Sequence, residues 1–273
     1  MSFDLKTELK KIIIGTKILK NTYTRTYANS KYSIDLIIDE ILYFLKSGVS
    51  WRMLRSTINY KTLYWHYNKF VKYHIFLKLF QKIRRKYINK YIISQSNKLC
   101  DLLIDSTVIY NKGGINKIGR NKFYKNKKAT KISLMTDING FPLSILFMKG
   151  NYHDNCVFNQ HIRDALVLVP NKTNHKKSIR IMADKAYSSK ENYTLLESNN
   201  MGHIIPPRKN MQLAQTYKYD KKEYSQRIKI EHIFSRIKAY KRINMRYDKI
   251  FSHFREFVLL GFIFVANHII NKM

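Results

Sequence analysis

The chain has 273 residues, 45% of them hydrophobic, which suffices for one large domain or two small ones with a real core. Its 51 Lys and Arg against 18 Asp and Glu leave a net charge of +33, which calls for a polyanionic partner, nucleic acid being the usual one. A base composition that enriches Lys, Asn, Ile and Tyr accounts for part of that excess, but not for so few acids. Cys100 and Cys156 have neither CxxC spacing nor a nearby His pair, which argues against a disulfide framework or a structural zinc site. The start of the chain lacks the apolar stretch of a secretory signal. The most apolar run, Phe257 to Ala266, is too short to span a bilayer and reads as a core helix. The expectation is a soluble intracellular protein without a membrane partner.

Residues 1–32 are polar and basic without a sustained period, and read as a loosely ordered arm. Ser33 is placed to cap a helix over 34–46, with Ile34, Ile37, Ile38, Ile41, Leu42 and Leu45 at helical spacing and Ser47-Gly48 as its stop. A second helix is expected over 60–71 and a third over 76–91, both aromatic and basic. Residues 33–98 thus resemble a small helix-turn-helix unit, in which Lys61, His66 and Lys69 are the side chains placed to reach DNA. Ordinary helical bundles share this pattern.

From residue 99 the texture changes. Strands are expected at 102–104, 131–136, 143–148, 179–183 and 203–205, with turn residues Asp137 to Pro142 joining the second and third. Helices are expected at 155–168 and 189–198, one carrying Tyr224 to Lys238, and one over 254–270. Residues 99–273 therefore read as a mixed α/β domain. Gly113-Gly114 and the run Lys117 to Lys128 read as a mobile basic loop.

Tyr224, Arg227, Glu231 and Lys238 are spaced by three, four and seven residues, and on one α-helix they fall within a stripe roughly 60° wide. A carboxylate flanked by a tyrosine, an arginine and a lysine suits a metal-binding group beside a phosphate backbone. Asp105 and Asp184 each close an apolar, strand-like run and would converge at one edge of a sheet, with Glu231 arriving from a packed helix. Hard carboxylate oxygens suit Mg²⁺, and a pair of ions can activate the attacking oxygen and stabilise the leaving one in phosphodiester cleavage. Among the competing acids, Asp137 fits the hairpin turn and Asp154 fits a helix cap. Asp101 has no assigned role, and His153 either touches DNA or anchors its loop.

Tyr224-x2-Arg227-x3-Glu231-x6-Lys238 resembles the signature of insertion-sequence transposases with a DDE triad. Ile104-Asp105-Ser106-Thr107, Thr136-Asp137-x2-Gly140-x-Pro142, Gly150-Asn151-x-His153-Asp154, Ala183-Asp184-Lys185-Ala186-Tyr187 and Ile205-Pro206-Pro207-Arg208 resemble further segments of that family, in its order. Leu45-x2-Gly48-x2-Trp51-x2-Leu54 resembles its N-terminal helical region, so the match runs from about residue 33 to 250. Ala186 stands where Gly is usual and Arg55 where Pro is frequent. The resemblance implies an RNase H-like catalytic domain, and the short stretch between Asp184 and Glu231 leaves no room for a large inserted β domain. It implies catalytic and metal-binding roles for Asp105, Asp184 and Glu231 with two Mg²⁺ ions, Mn²⁺ substituting. It also implies phosphate contacts from Tyr224, Arg227 and Lys238. The implied partners are double-stranded DNA, as element ends and as target, and a second copy of the chain in the DNA complex. The site of action is the compartment that holds the host DNA.

Two rival functions stand beside transposition. A domesticated or decayed derivative would keep DNA binding or simple nuclease activity. A basic RNA-binding scaffold would explain the charge but not three ordered carboxylates.

Overall fold

The computed structural model describes residues 4–23, 32–93, 100–122, 125–168, 179–211 and 216–273. The chain divides into two compact units. One comprises residues 1–83, 111–116 and 236–273; the other comprises residues 84–110 and 117–235.

The first unit begins with helices α1 (Leu5–Gly15) and α2 (Lys17–Tyr23). The expected loose arm is therefore helical over these residues, while residues 24–31 lie outside the described ones. The overlooked period is Leu5, Leu9 and Ile13, four residues apart and buried, behind an Asp4 side chain that caps the Lys6 amide at 3.1 Å. Helix α3 (Ile34–Ser47) starts at Ser33, whose Oγ accepts from Leu36 N at 3.2 Å, and stops at Gly48. Gly48 has φ +66°, and a Cβ there would stand 2.7 Å from the Lys241 side chain, so turn and packing both require glycine. Helix α4 (Tyr60–Lys72) is capped by Asn59, and α5 (Ile75–Tyr87) follows, passing into a π-helical turn at Ile88–Ile93.

The second unit is built on a mixed sheet. Strands β1 (Cys100–Asn111), β2 (Gly119–Asn121), β3 (Lys127–Asp137), β4 (Pro142–Lys149), β5 (Ile179–Ala183) and β6 (Gly202–Ile204) form it. β3 pairs antiparallel with both β1 and β4, while β1–β5 and β5–β6 are parallel. The path is β4-β3-β1-β5-β6, with β2 extending the β4 side of β3 over Lys127–Ala129. The run expected to be a mobile loop thus holds a short hairpin; its residues 123–124 lie outside the described ones. Leu102, Leu103, Ile104, Ile181, Met182 and Ala183 are all fully buried, as central strands covered on both faces must be.

Helices α6 (Phe158–Leu168) and α7 (Lys190–Ser198) belong to this unit, α7 capped by Ser189 Oγ on Asn192 N at 3.2 Å. The segment expected as one helix from Tyr224 to Lys238 is two: α8 (Lys221–Ser225) and α9 (Ile228–Lys238). Residues 226–227 between them form a turn closed by i to i+3 bonds, including Arg227 N to Tyr224 O at 3.0 Å. The β3–β4 hairpin uses Asp137 as its fastener. Its Oδ1 accepts from Asn139 N (3.0 Å) and Phe141 N (2.8 Å), and its Oδ2 from the Tyr87 hydroxyl (2.5 Å).

The chain returns to the first unit with α10 (Lys241–Asn244), the two-residue strand β7 (Met245–Arg246) and α11 (Phe251–Lys272). α11 is longer than the expected 254–270. Its length and composition match a membrane-spanning helix, yet 72% of its apolar window is buried within the protein. Tyr67 of α4 stacks on Phe257 with centroids 4.4 Å apart, and its hydroxyl donates to His253 O at 2.7 Å. Phe44 stacks on Trp51 at 3.9 Å and carries the Arg242 guanidinium on its ring at 4.4 Å. The aromatic faces of α3 and α4 are thus satisfied by the C-terminal helix. The unit that holds α3 and α4 also holds residues 236–273, so α11 belongs with the N-terminal helices instead of the α/β unit.

Candidate active site

Parallel pairing of β1 with β5 sets the site. The register runs from Cys100 opposite Ile179 to Ile104 opposite Ala183, so Asp105 and Asp184 are the next residues on the two chains. Adjacent strands lie about 4.8 Å apart, which brings these carboxylates to one level of the sheet. Asp105 does not end its strand as expected; β1 continues to Asn111, paired with β3 as far as Tyr110. Asp184 does stand just past β5, with no side-chain capping bond, at the head of the 3-10 turn Lys185–Tyr187.

Glu231 reaches the pair through an arginine. Arg227 Nη1 donates to Asp105 Oδ2 at 2.8 Å, and Nη2 donates to Glu231 Oε1 at 2.6 Å. Tyr224 is half-buried, with its ring centroid 6.0 Å from the Arg227 guanidinium. Burial pushes the Asp105 carboxyl up to about 6, with the nearby Asp184 charge adding to the shift and Arg227 opposing it. The half-buried Tyr224 hydroxyl is also pushed up by burial, against the pull of Arg227.

The structure therefore brings Asp105, Asp184, Arg227 and Glu231 together, with Tyr224 alongside. Lys238 lies in the last turn of α9, half-buried, and burial lowers its ammonium. The helix-turn-helix candidates fare differently. Lys61 is exposed in the first turn of α4. Lys69 is half-buried and rests its ammonium 3.8 Å from the Trp65 ring centroid. His66 is a correction. It is buried, its Nδ1 lies 2.6 Å from the Tyr23 hydroxyl, and burial lowers its pKa to about 4, so it is a neutral core group facing α2 and not a DNA reader. The exposed stripe of α4 is Lys61, Trp65 and Lys72 instead.

Asp154 is a second correction. It caps nothing; its Oδ1 accepts from Ser106 Oγ and from Lys131 Nζ (2.9 Å), tying β1 to β3 next to the site. Ala186 causes no strain where glycine was expected, because it is not among the described residues with positive φ.

Sequence reasoning missed the supports. Arg180 of β5 sits opposite Asp101 of β1 and donates to both its oxygens (2.7 and 3.0 Å), then to Glu223 Oε2 of α8 at 2.7 Å. Arg208, from the Pro206-Pro207-Arg208 loop, donates to Ala186 O at 2.9 Å and so braces the turn that follows Asp184. A four-residue rhythm was visible in both partners of the first support, Asp101 and Asp105 on the strand, Glu223, Arg227 and Glu231 on the helical segment.

Hard carboxylate oxygens on two adjacent strands suit a divalent cation, and a cation would relieve the buried Asp105 charge. Among the described residues no three acidic, His or Cys side chains are gathered closely enough to hold a metal as they stand. Asp105 and Asp184 fit such an ion by their chemistry, while the Glu231 carboxylate is bonded to Arg227.

A family model described as transposase DDE domain matches residues 96–266. No curated protein matches the sequence. A cryo-EM structure of a piggyBac transposase synaptic complex with hairpin DNA is similar in fold, with TM-score 0.56 and 11% identity over 99% of this chain and 73% of that one. A pre-cleavage Mos1 transpososome aligns at TM-score 0.32 and 14% identity, over 70% of this chain and 60% of that one. The strand path, three antiparallel strands followed by two parallel ones, is the RNase H-like arrangement.

Proposed function

Because the chain belongs to the transposase DDE-domain family, we propose that it binds the ends of its own mobile element, cleaves DNA strands there with Mg²⁺, and joins the freed 3′-hydroxyl to target DNA. The observation that carries this reading is the level pairing of Asp105 with Asp184 on parallel strands, with Glu231 linked to Asp105 through Arg227. Bound divalent ions would supply activation of the attacking oxygen and charge neutralisation at phosphorus.

The chain's own groups do the rest. Asp105 and Asp184 present oxygens from backbone fixed by the sheet, so little reorganisation is needed when a cation arrives. Arg227 offers a planar fork, and Lys238 a point charge, for phosphate oxygens along the bound strand. The Tyr224 hydroxyl, held protonated by burial, is a hydrogen-bond donor beside them. Lys61 and Lys69 on α4, with Lys72, would grip the duplex, and a second copy of the chain would hold the other element end. The protein would act inside the cell, wherever the host DNA lies.

The test is incubation of purified protein with DNA carrying the inverted repeats that flank its gene, with and without Mg²⁺. Strand breaks at the repeat ends, dependent on the metal and absent in Asp105→Ala, Asp184→Ala and Glu231→Ala, are expected. Cleavage at wild-type rate in any one variant would remove that residue from the site.

A further inference from the structure

Arg227 spends its fork on the two carboxylates, Asp105 and Glu231, that a divalent ion would need. Its side chain is 18% exposed and that of Asp105 20%, so this bond is sheltered, whereas Glu231, at 51%, is held from the open side. The support formed by Arg180, Asp101 and Glu223 is its counterpart: again one arginine joins a β1 aspartate to a helical glutamate. The two differ in what carries the arginine. Arg180 projects from a central strand paired on both sides. Arg227 stands in the turn between α8 and α9, where i to i+3 bonds replace the regular helical ladder.

We propose that Arg227 is a built-in counter-cation, holding Asp105 and Glu231 closed to divalent metal until a DNA phosphate draws its guanidinium away. Metal loading is then conditional on DNA. This rests on the reading of Asp105, Asp184 and Glu231 as the metal-binding acids.

A guanidinium and a dication compete for the same oxygens, and a phosphate offers the guanidinium an equivalent two-pronged partner. While Arg227 swings out, Arg180 keeps α8 fastened to the sheet through Glu223, so the displacement is confined to the turn. Linkage makes the effect reciprocal, because metal tightens DNA binding by the same factor as DNA tightens metal binding. The benefit is a cutting centre that stays unarmed in the absence of its substrate.

Mn²⁺ binding to the full chain, followed by the EPR signal of the free ion, tests this. The titration is run with and without a short repeat-end duplex, after subtraction of ions bound by the duplex alone. Wild type without DNA is expected to bind weakly and to tighten about ten- to a hundredfold with DNA. Arg227→Gln without DNA should reach the tightened affinity and respond little to DNA, whereas Arg180→Gln should keep the DNA response. Equal Mn²⁺ affinity of wild type and Arg227→Gln without DNA would overturn the counter-cation while leaving the metal site standing. Absence of a protein Mn²⁺ site in every state would sink the metal reading and this proposal together. If circular dichroism shows Arg227→Gln misfolded, Arg227→Met decides. It keeps an unbranched side chain but removes the charge, so Mn²⁺ affinity without DNA no higher than wild type would overturn the proposal.

Discussion

Replacing Asp105 with Asn should stabilise the metal-free protein at alkaline pH. The ordinary aspartate value is 3.8 and burial raises that of Asp105 to about 6. Each decade corresponds to ~1.4 kcal/mol, so an ionised Asp105 costs the fold ~3 kcal/mol. Between the two values the folded chain holds a proton that the unfolded chain has lost. Stability from this group is therefore complete below 3.8 and is lost as pH rises through about 6. Asn mimics the protonated carboxyl and cannot ionise. Urea unfolding of wild type and Asp105→Asn, without divalent ions or DNA, should give equal stabilities near pH 4. Near pH 8 the variant should be more stable by up to ~3 kcal/mol, with Arg227 retaining Glu231 as a partner. Only the difference between the two curves matters, since other groups titrate in both. A variant less stable than wild type at pH 8 would mean that the Arg227 bond outweighs burial, and would refute the reasoning.

Other outcomes follow from the same geometry. Binding of duplex DNA should weaken linearly on log–log axes with salt, at a slope of about −0.9 per phosphate neutralised; a slope near zero would detach the +33 charge from DNA. Lys61→Ala with Lys72→Ala should loosen DNA binding without lowering Tm, whereas His66→Ala should lower Tm and leave affinity per folded molecule unchanged, as a titration on both variants would check. Leu9→Ala should cost about 2–5 kcal/mol in urea unfolding, as for a residue 1% exposed in a packed core; a loss below 0.5 kcal/mol would mark α1 as dispensable.

Much of the fold was legible because periodicity and punctuation agree along the chain. Ser33 and Gly48 bound α3 as expected, and the apolar runs at 102–104 and 179–183 are central strands. The limits lay elsewhere. Leu5, Leu9 and Ile13 bury a stripe only one residue wide, easily lost among lysines. The apolar run stops at Asp105, which predicts a strand end there; β1 continues because β3 pairs with it up to Tyr110 whatever the side chains. His66 looked like a DNA contact among lysines on α4, but which face of a helix is covered depends on a neighbour, here Tyr23 of α2, that helical spacing cannot reveal. The α8–α9 break was hidden for the opposite reason, since residues 224–238 all suit a helix and the turn at 226–227 is set by tertiary contacts of Glu223 and Arg227.

The parallel pairing of β1 with β5 also bears on the order in which the chain acquires its chemistry. The β3–β4 hairpin closes locally around Asp137 and can form early, whereas Asp101 must find Arg180 across 79 positions of chain. Glu231 is synthesised later still. A ribosome-bound or truncated chain thus passes through stages that already carry basic helices but have no assembled acid cluster. Because α11 also completes the core around α3 and α4, premature release should leave a chain in which neither the helical core nor the acid cluster has assembled, one marked for degradation before it can act.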